Sequence, residues 1–305
     1  MTTKCNHEGA NLMKNSTKRL LRFFKTKVLV FCFVFLVPFV AALSAQTPKR
    51  IISLVPNVTE ILFAIGAGPQ VVAVSTYDIE PAEVRELPTV GALVDPDTER
   101  IIALRPDLVI TYGSQVDLHT QLKRVSIPFF DYRHGGLEHI MVTMRALGLR
   151  TGHVEQAEKV ARTLETAIDG VRKQVAGRPR PRTLLVFGRE PGSLRNIYAS
   201  AGRGFLHDML TAAGGENMLK DIEKESAQVS TEMILARRPD VIIELNAASR
   251  LNDADLKAVL DPWSTLSSVP AVRNKRVVVL NGPGLTVPGP RVIDGIEKMA
   301  RVLHP

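Results

Sequence analysis

Cysteine is nearly missing from this 305-residue chain: Cys5 and Cys32 are the only two, and both fall in an N-terminal segment that reads as a leader. There Lys14, Lys18, Arg19, Arg22, Lys25 and Lys27 precede the apolar run Val28 to Leu43, which is the layout of a secretory signal. The run is shorter than the roughly 20 residues a spanning helix needs. Ala41, Ala42, Leu43, Ser44 and Ala45 offer the small residues of a cleavage site near Ala45, so a cleaved signal is expected rather than a permanent anchor. Met13 opens a leader of more ordinary length than Met1 does. No cysteine follows the apolar run, which argues against a lipoprotein. Beyond the leader there is no thiol, disulfide or cysteine metal ligand, and stability has to come from packing.

Excess charge is also lacking once the leader is set aside. Residues 1–45 hold seven of the 39 Lys and Arg and one of the 31 Asp and Glu, leaving 32 against 30. Six units of the formal net charge of +8 thus belong to the leader and about +2 remains, and with that goes the main argument for a nucleic-acid partner. Catalytic signatures are missing too. His134 and His139 stand five apart, which does not place two imidazoles on one helical face, and no His-Glu-x-x-His or clustered carboxylate set occurs. Gly202-Arg203-Gly204 carries His207 where a dinucleotide fingerprint needs its third glycine. It reads as a turn before a helix, with backbone N–H groups facing a cleft. No Gly-x-Ser-x-Gly elbow is present, and His207 and Ser230 are explained as surface and cap residues.

What is present is alternation. Arg50 to Leu54, Val71 to Val74, Leu108 to Thr111 and Pro128 to Asp131 read as strands, followed by a second set at Thr183 to Phe187, Val241 to Leu245 and Val277 to Leu280. Strands alternating with helical patterns imply parallel α/β sheets covered on both faces. Between the sets, Ala157, Val160, Ala161, Leu164, Ile168, Val171 and Val175 recur at three- and four-residue spacing and mark an amphipathic helix of about 20 residues. Gly177, Pro179 and Pro181 stop it. This divides the chain into a leader at 1–45, an N-terminal lobe at 46–138, a linking helical segment at 139–176 and a C-terminal lobe at 177–305.

An internal echo supports two lobes on one plan. Asp97 to Ile110 aligns without gaps on Ser230 to Ile243, each copy reading as a capped helix, an Arg-Pro-Asp turn and a buried strand. Asp97 and Ser230 are the caps, able to accept from a free N–H of the first turn. A cleft between paired α/β lobes is the natural place for a site.

Ser53 to Leu62 carries a strand straight into a helix, with Asn57 as cap and Glu60 three residues later in a capping-box-like pair. Together with the Arg-Pro-Asp echo, Ala213-Gly214-Gly215-Glu216-Asn217 and Pro288-Gly289-Pro290-Arg291, this segment resembles the periplasmic binding proteins for vitamin B12, haem and ferric siderophores. The resemblance covers Arg50 to Pro305 and is nearest to the cobalamin-binding members. It implies two Rossmann-like lobes with mainly parallel sheets joined by one long α-helix, a ligand cleft between them, and no catalysis or intrinsic cofactor. It also implies a periplasmic location and a transported metal chelate: cobalamin, or a ferric siderophore or haem. An acidic residue on each lobe would dock on arginines of an ABC importer permease, and the matching positions are Glu99 and Glu232, which the echo superposes. An acid in a first helical turn is also favoured by the helix dipole.

For the ligand, aromatic residues near strand ends are the natural contacts. Tyr77 matches a ligand-contacting tyrosine of the cobalamin-binding relatives, and Tyr112 sits where they place a tryptophan. Tyr132 with Arg133, Arg189, Tyr198 and Trp263 follow from loop position. The positions six residues before each docking acid, often aromatic in that group, are Leu93 and Ser226. Arginine would clamp the carboxylates of a siderophore or haem, so Arg133 and Arg189 keep those ligands open. From another class, an exported α/β hydrolase remains a reading. Nothing in the pattern asks for an oligomer, and a monomer is expected.

Overall fold

The computed structural model describes residues 47–246 and 251–305; the leader, both cysteines and the cleavage site lie outside the described residues. Two separate sheets account for the two sets of strands. In the first, β1 (Ile51–Ser53), β2 (Val71–Val74), β3 (Leu108–Tyr112) and β4 (Phe129–Tyr132) lie in the order β2-β1-β3-β4, every pairing parallel. Helices α1 (Pro56–Ala64), α2 (Thr98–Ala103) and α3 (Val116–Arg124) connect them. Leu108, Val109 and Ile110 are all fully buried, as a strand covered on both faces requires.

Two helices follow, α4 (Leu137–Thr151) and α5 (Val154–Gln174). The long helix expected between the lobes is α5, with 21 residues and a length of about 31 Å. It buries Ala157, Ala161, Leu164, Ile168 and Val171, the apolar stripe of the sequence. It does not stand alone. Gly152 turns the chain in the left-handed conformation, with φ of 80°, and α4 folds back against α5. Gly148 permits this close approach, since a Cβ there would sit 2.3 Å from that of Ala157.

The second sheet begins with β5 (Arg182–Gly188) and continues through β6 (Ile197–Ser200), α6 (Phe205–Ala212), β7 (Glu216–Asn217), β8 (Ser226–Val229) and α7 (Thr231–Arg237). It ends with β9 (Val241–Asn246), α8 (Asp253–Leu260), α9 (Pro270–Arg273), β10 (Val277–Asn281) and the last helix α10 (Val292–Leu303). Its order is β10-β9-β5-β6-β8, with β7 parallel to the start of β5. The stretch β7-β5-β9-β10 is parallel and repeats the plan of the first sheet. Strands β6 and β8 add an antiparallel extension. The sequence pattern misses it because these strands are four residues long and include Ser226 and Gln228 rather than a β-branched run.

The echo is realised in detail. Asp97 accepts a hydrogen bond from Arg100 N at 2.9 Å and Ser230 from Met233 N at 3.2 Å. Each copy then passes through a left-handed arginine, Arg105 with φ of 48° and Arg238 with φ of 50°. Asp107 accepts from the amides of Lys49 and Arg50, and Asp240 from that of Arg182, so each aspartate fastens the neighbouring first strand of its sheet.

The main core is continuous across both lobes. It includes Ile51, Val58 and Ile110 from the first, Leu185, Met209 and Ile243 from the second, and Ala161, Leu164 and Ile168 of α5 between them. Each large side chain buried there contributes roughly 1.5–3 kcal/mol relative to exposure. Two smaller clusters, around Ile52, Val109 and Leu122 and around Leu184, Ile242 and Trp263, pack against the other sides of the two sheets.

Candidate ligand cleft

The C-terminal ends of β3 and β4 are in register, Tyr112 opposite Tyr132, and the loop after β4 carries His134. These three rings form a cluster: Tyr112 to Tyr132 at 6.1 Å, Tyr112 to His134 at 5.0 Å, and Tyr132 edge-on to His134 at 5.5 Å. His139, in the first turn of α4, adds a fourth ring 6.1 Å from Tyr132. The Tyr132 hydroxyl lies 3.4 Å from His134 Nδ1. Tyr132 is buried, Tyr112 half-buried and His134 accessible, so the cluster grades from core to opening.

The second lobe contributes charge. Glu225, just before β8, acts electrostatically on Tyr112, Tyr132 and His134 alike, so its carboxylate lies within electrostatic range of the cluster. Burial pushes the Tyr132 phenol up to about 12 and Tyr112 upward as well, with Glu225 acting in the same direction. Burial pulls the His134 imidazole below its ordinary value while Glu225 opposes that shift. At neutral pH the site therefore presents neutral phenols and an imidazole favoured in its neutral form.

The lobes are fastened together beside this cluster. Val55 rather than Asn57 caps α1, with no side-chain cap bond and Pro56 as first helical residue, which corrects the capping-box reading. Asn57 is buried and donates through Nδ2 to Pro288 O at 3.2 Å. It also stands within hydrogen-bonding reach of the Tyr132 phenol. Glu60 receives two bonds from the Arg291 guanidinium, at 2.6 and 2.9 Å. Gly289 passes so near that a Cβ would stand 3.3 Å from Glu60 Oε2. The first and last motifs of the resemblance are thus partners of each other. A further crossing has Asp208, in the first turn of α6, accepting from Leu137 N at 2.8 Å.

The remaining candidates separate by environment. Tyr77 is 68% exposed after β2, and Arg133 is exposed and paired with Asp131 at 3.3 Å. Tyr198 lies on β6, opposite Gln228 and Gly188, and is 45% exposed. Arg189 and Trp263 stand in a different environment. The Arg189 side chain is 4% exposed, holding Glu244 with Nε 3.1 Å from both carboxylate oxygens and bonding the carbonyls of Ser193 and Val259. Trp263 is 1% exposed and donates Nε1 to Glu244 Oε2 at 3.0 Å. Both are committed to a largely covered carboxylate, 12% exposed, inside the second lobe. Gly202 and Arg203 likewise donate their N–H groups to Ile222 O and Lys224 O, not to a cleft.

Glu99 and Glu232 are exposed in the first turns of α2 and α7. Gln115, after β3, donates to Leu93 O at 2.8 Å and thereby holds the loop leading to α2 near the C-terminal end of β3. Hydrogen bonds from its own backbone N–H, then from Ser230 and Thr231, lower the Glu232 carboxyl below its ordinary value. His134 and Glu225 were missed as site residues. The only sign in the sequence was the run Tyr132-Arg133-His134 after a strand, and for Glu225 there was none.

Two α/β lobes around a ring-lined gap define a bilobal binding protein. The model of the periplasmic binding protein family matches residues 51–283, and the chain belongs to that family. Among its relatives, a vitamin B12-binding protein of Yersinia pestis (strain Pestoides F) is 28% identical over 261 residues, covering 85% of this chain and 88% of the relative. Among solved structures, the periplasmic vitamin B12 binding protein BtuF of Vibrio cholerae is similar with a TM-score of 0.71 and 28% identity, over 84% of this chain and 96% of that one. The periplasmic heme-binding protein RhuT from Roseiflexus sp. RS-1 shares the fold at a TM-score of 0.70 and 24% identity, over 84% and 98%.

Proposed function

We propose that the protein is the substrate-binding component of an ABC importer, that it holds a corrinoid between its lobes, and that it docks on the permease through Glu99 and Glu232. The observation that carries this reading is the cluster of Tyr112, Tyr132 and His134 with Glu225 of the second lobe within electrostatic range. Flat rings suit a flat macrocycle at low entropic cost, and the 28% identity to vitamin B12-binding proteins favours cobalamin within that chemistry. With Arg189 committed to Glu244, Arg133 is the one candidate arginine left for an anionic ligand, which weakens the siderophore alternative. Haem remains the second reading, since the same rings fit a porphyrin.

The acids fit docking because they recur at equivalent places in the echo, and charge pairs there would set orientation and on-rate more than affinity. The proposed division is an N-terminal lobe at 46–138, a link at 139–176 and a C-terminal lobe at 177–305, following a leader at 1–45 that directs export. Equilibrium titration with cyanocobalamin, haemin and ferric catecholates tests the reading. Saturable cobalamin binding with weaker response to the others is expected. Binding of none of the three would overturn the carrier reading, and turnover of a chromogenic ester would favour the hydrolase.

A further inference from the structure

Within the cluster the one side chain with metal-ligating chemistry and an open surface is His134. Its Nδ1 is engaged by the Tyr132 hydroxyl at 3.4 Å, while among the described residues its Nε2 has no hydrogen-bond partner. A ligating histidine is arranged in this way: one ring nitrogen is tied to a neighbour that fixes tautomer and orientation, and the other keeps its lone pair for the metal. Tyr112 and Tyr132 flank the ring at 5.0 and 5.5 Å, and Glu225 of the second lobe lies within electrostatic range of it. The group is therefore placed where cargo enters but is supported from one side.

We propose that His134 coordinates the metal of the transported chelate through Nε2, so that the cleft selects chelates with an exchangeable axial position. This rests on the reading of the cargo as a metal macrocycle. Tyr132 acts as a positioning residue, its hydroxyl oxygen accepting a hydrogen bond from Nδ1–H so that Nε2 carries the lone pair. In the exchange the Nε2 lone pair forms a bond to the metal and the bound water leaves with its own electron pair. The metal keeps its oxidation state and no proton moves.

Aquocobalamin, whose axial water exchanges, and cyanocobalamin, whose cyanide does not, separate this proposal from the carrier reading. The protein is expected to bind aquocobalamin at least about tenfold more tightly and to shift its visible absorption bands on binding. His134→Ala should abolish both the shift and the preference, binding aquocobalamin and cyanocobalamin alike, with a cooperative unfolding transition like the parent's to show that the variant is folded. Tyr132→Phe should retain the shift with a preference reduced several-fold. Equal binding of both cobalamins without a spectral change would overturn coordination and leave the carrier reading intact, as would a shift that persists in His134→Ala. Binding of neither would overturn both.

Discussion

The two lobes share a backbone plan and use it for opposite ends. In the echo, Thr111 and Tyr112 of the first lobe correspond to Glu244 and Leu245 of the second. The first lobe leaves its strand ends open, so that Tyr112, Arg133 and His134 face solvent or the gap. The second lobe places a carboxylate at the same point and closes the structure over it with Arg189 and Trp263. A carboxylate largely withdrawn from water must be neutralised and hydrogen-bonded, and that requirement calls for arginine and tryptophan, the residue types that ligand recognition also calls for. Whether such a residue binds cargo is decided by what stands beside it in space.

The contrast can be broken at several points. The largest effect is expected from reversing the two equivalent acids. Glu99→Lys with Glu232→Lys should abolish uptake while leaving ligand affinity within about twofold, measured by transport into cells and by titration of the purified protein. Transport at the normal rate would return both acids to the role of helix N-terminal residues, worth about 0.3–1 kcal/mol each. Next in size, Trp263→Ala should lower stability by about 3–5 kcal/mol in urea denaturation and leave the ligand affinity of the folded fraction unchanged. Tyr112→Ala should do the reverse, with roughly tenfold weaker binding and a stability loss of about 1 kcal/mol. Weakened binding in Trp263→Ala at unchanged stability would erase the difference between the lobes.

The smallest effect concerns a carboxylate that the first lobe does not neutralise. Asp78 is buried, with Oδ2 bonded to the amide and hydroxyl of Ser75 and Oδ1 without a hydrogen-bond partner among the described residues. Burial raises its pKa above the ordinary value near 3.8, so the stability it contributes is held below that pH and lost as pH rises through the raised value. Asp78→Asn cannot titrate. Its Tm should gain on the parent as pH increases from about 4 towards neutrality, measured by thermal unfolding across that range. A constant difference at every pH would show that Asp78 is not the titrating group.

Much of the architecture was legible because it is local. β2 was found at the residues expected, and the other six strands read from the sequence agree within one or two residues at either end, since β-branched runs between turn residues leave little choice. The echo was readable because cap, turn and strand repeat within 14 residues. The lobe-to-lobe contacts were not legible for the opposite reason. Asn57 and Glu60 have the spacing of a capping box, and only their partners Pro288 and Arg291, 231 residues away, reveal another use. The partner of Arg189 and Trp263 was hidden for the same cause, since Glu244 lies 55 and 19 residues from them. Glu225 carries no local pattern at all.

The bonds between α1 and the segment of Pro288 and Arg291 tie together residues synthesised 231 positions apart. Until Arg291 has left the ribosome, Glu60 lacks its countercharge and Asn57, which stands beside the Tyr132 phenol, lacks the carbonyl that holds it. A chain cut short before Pro288 would therefore keep its rings but lose the frame that aims them.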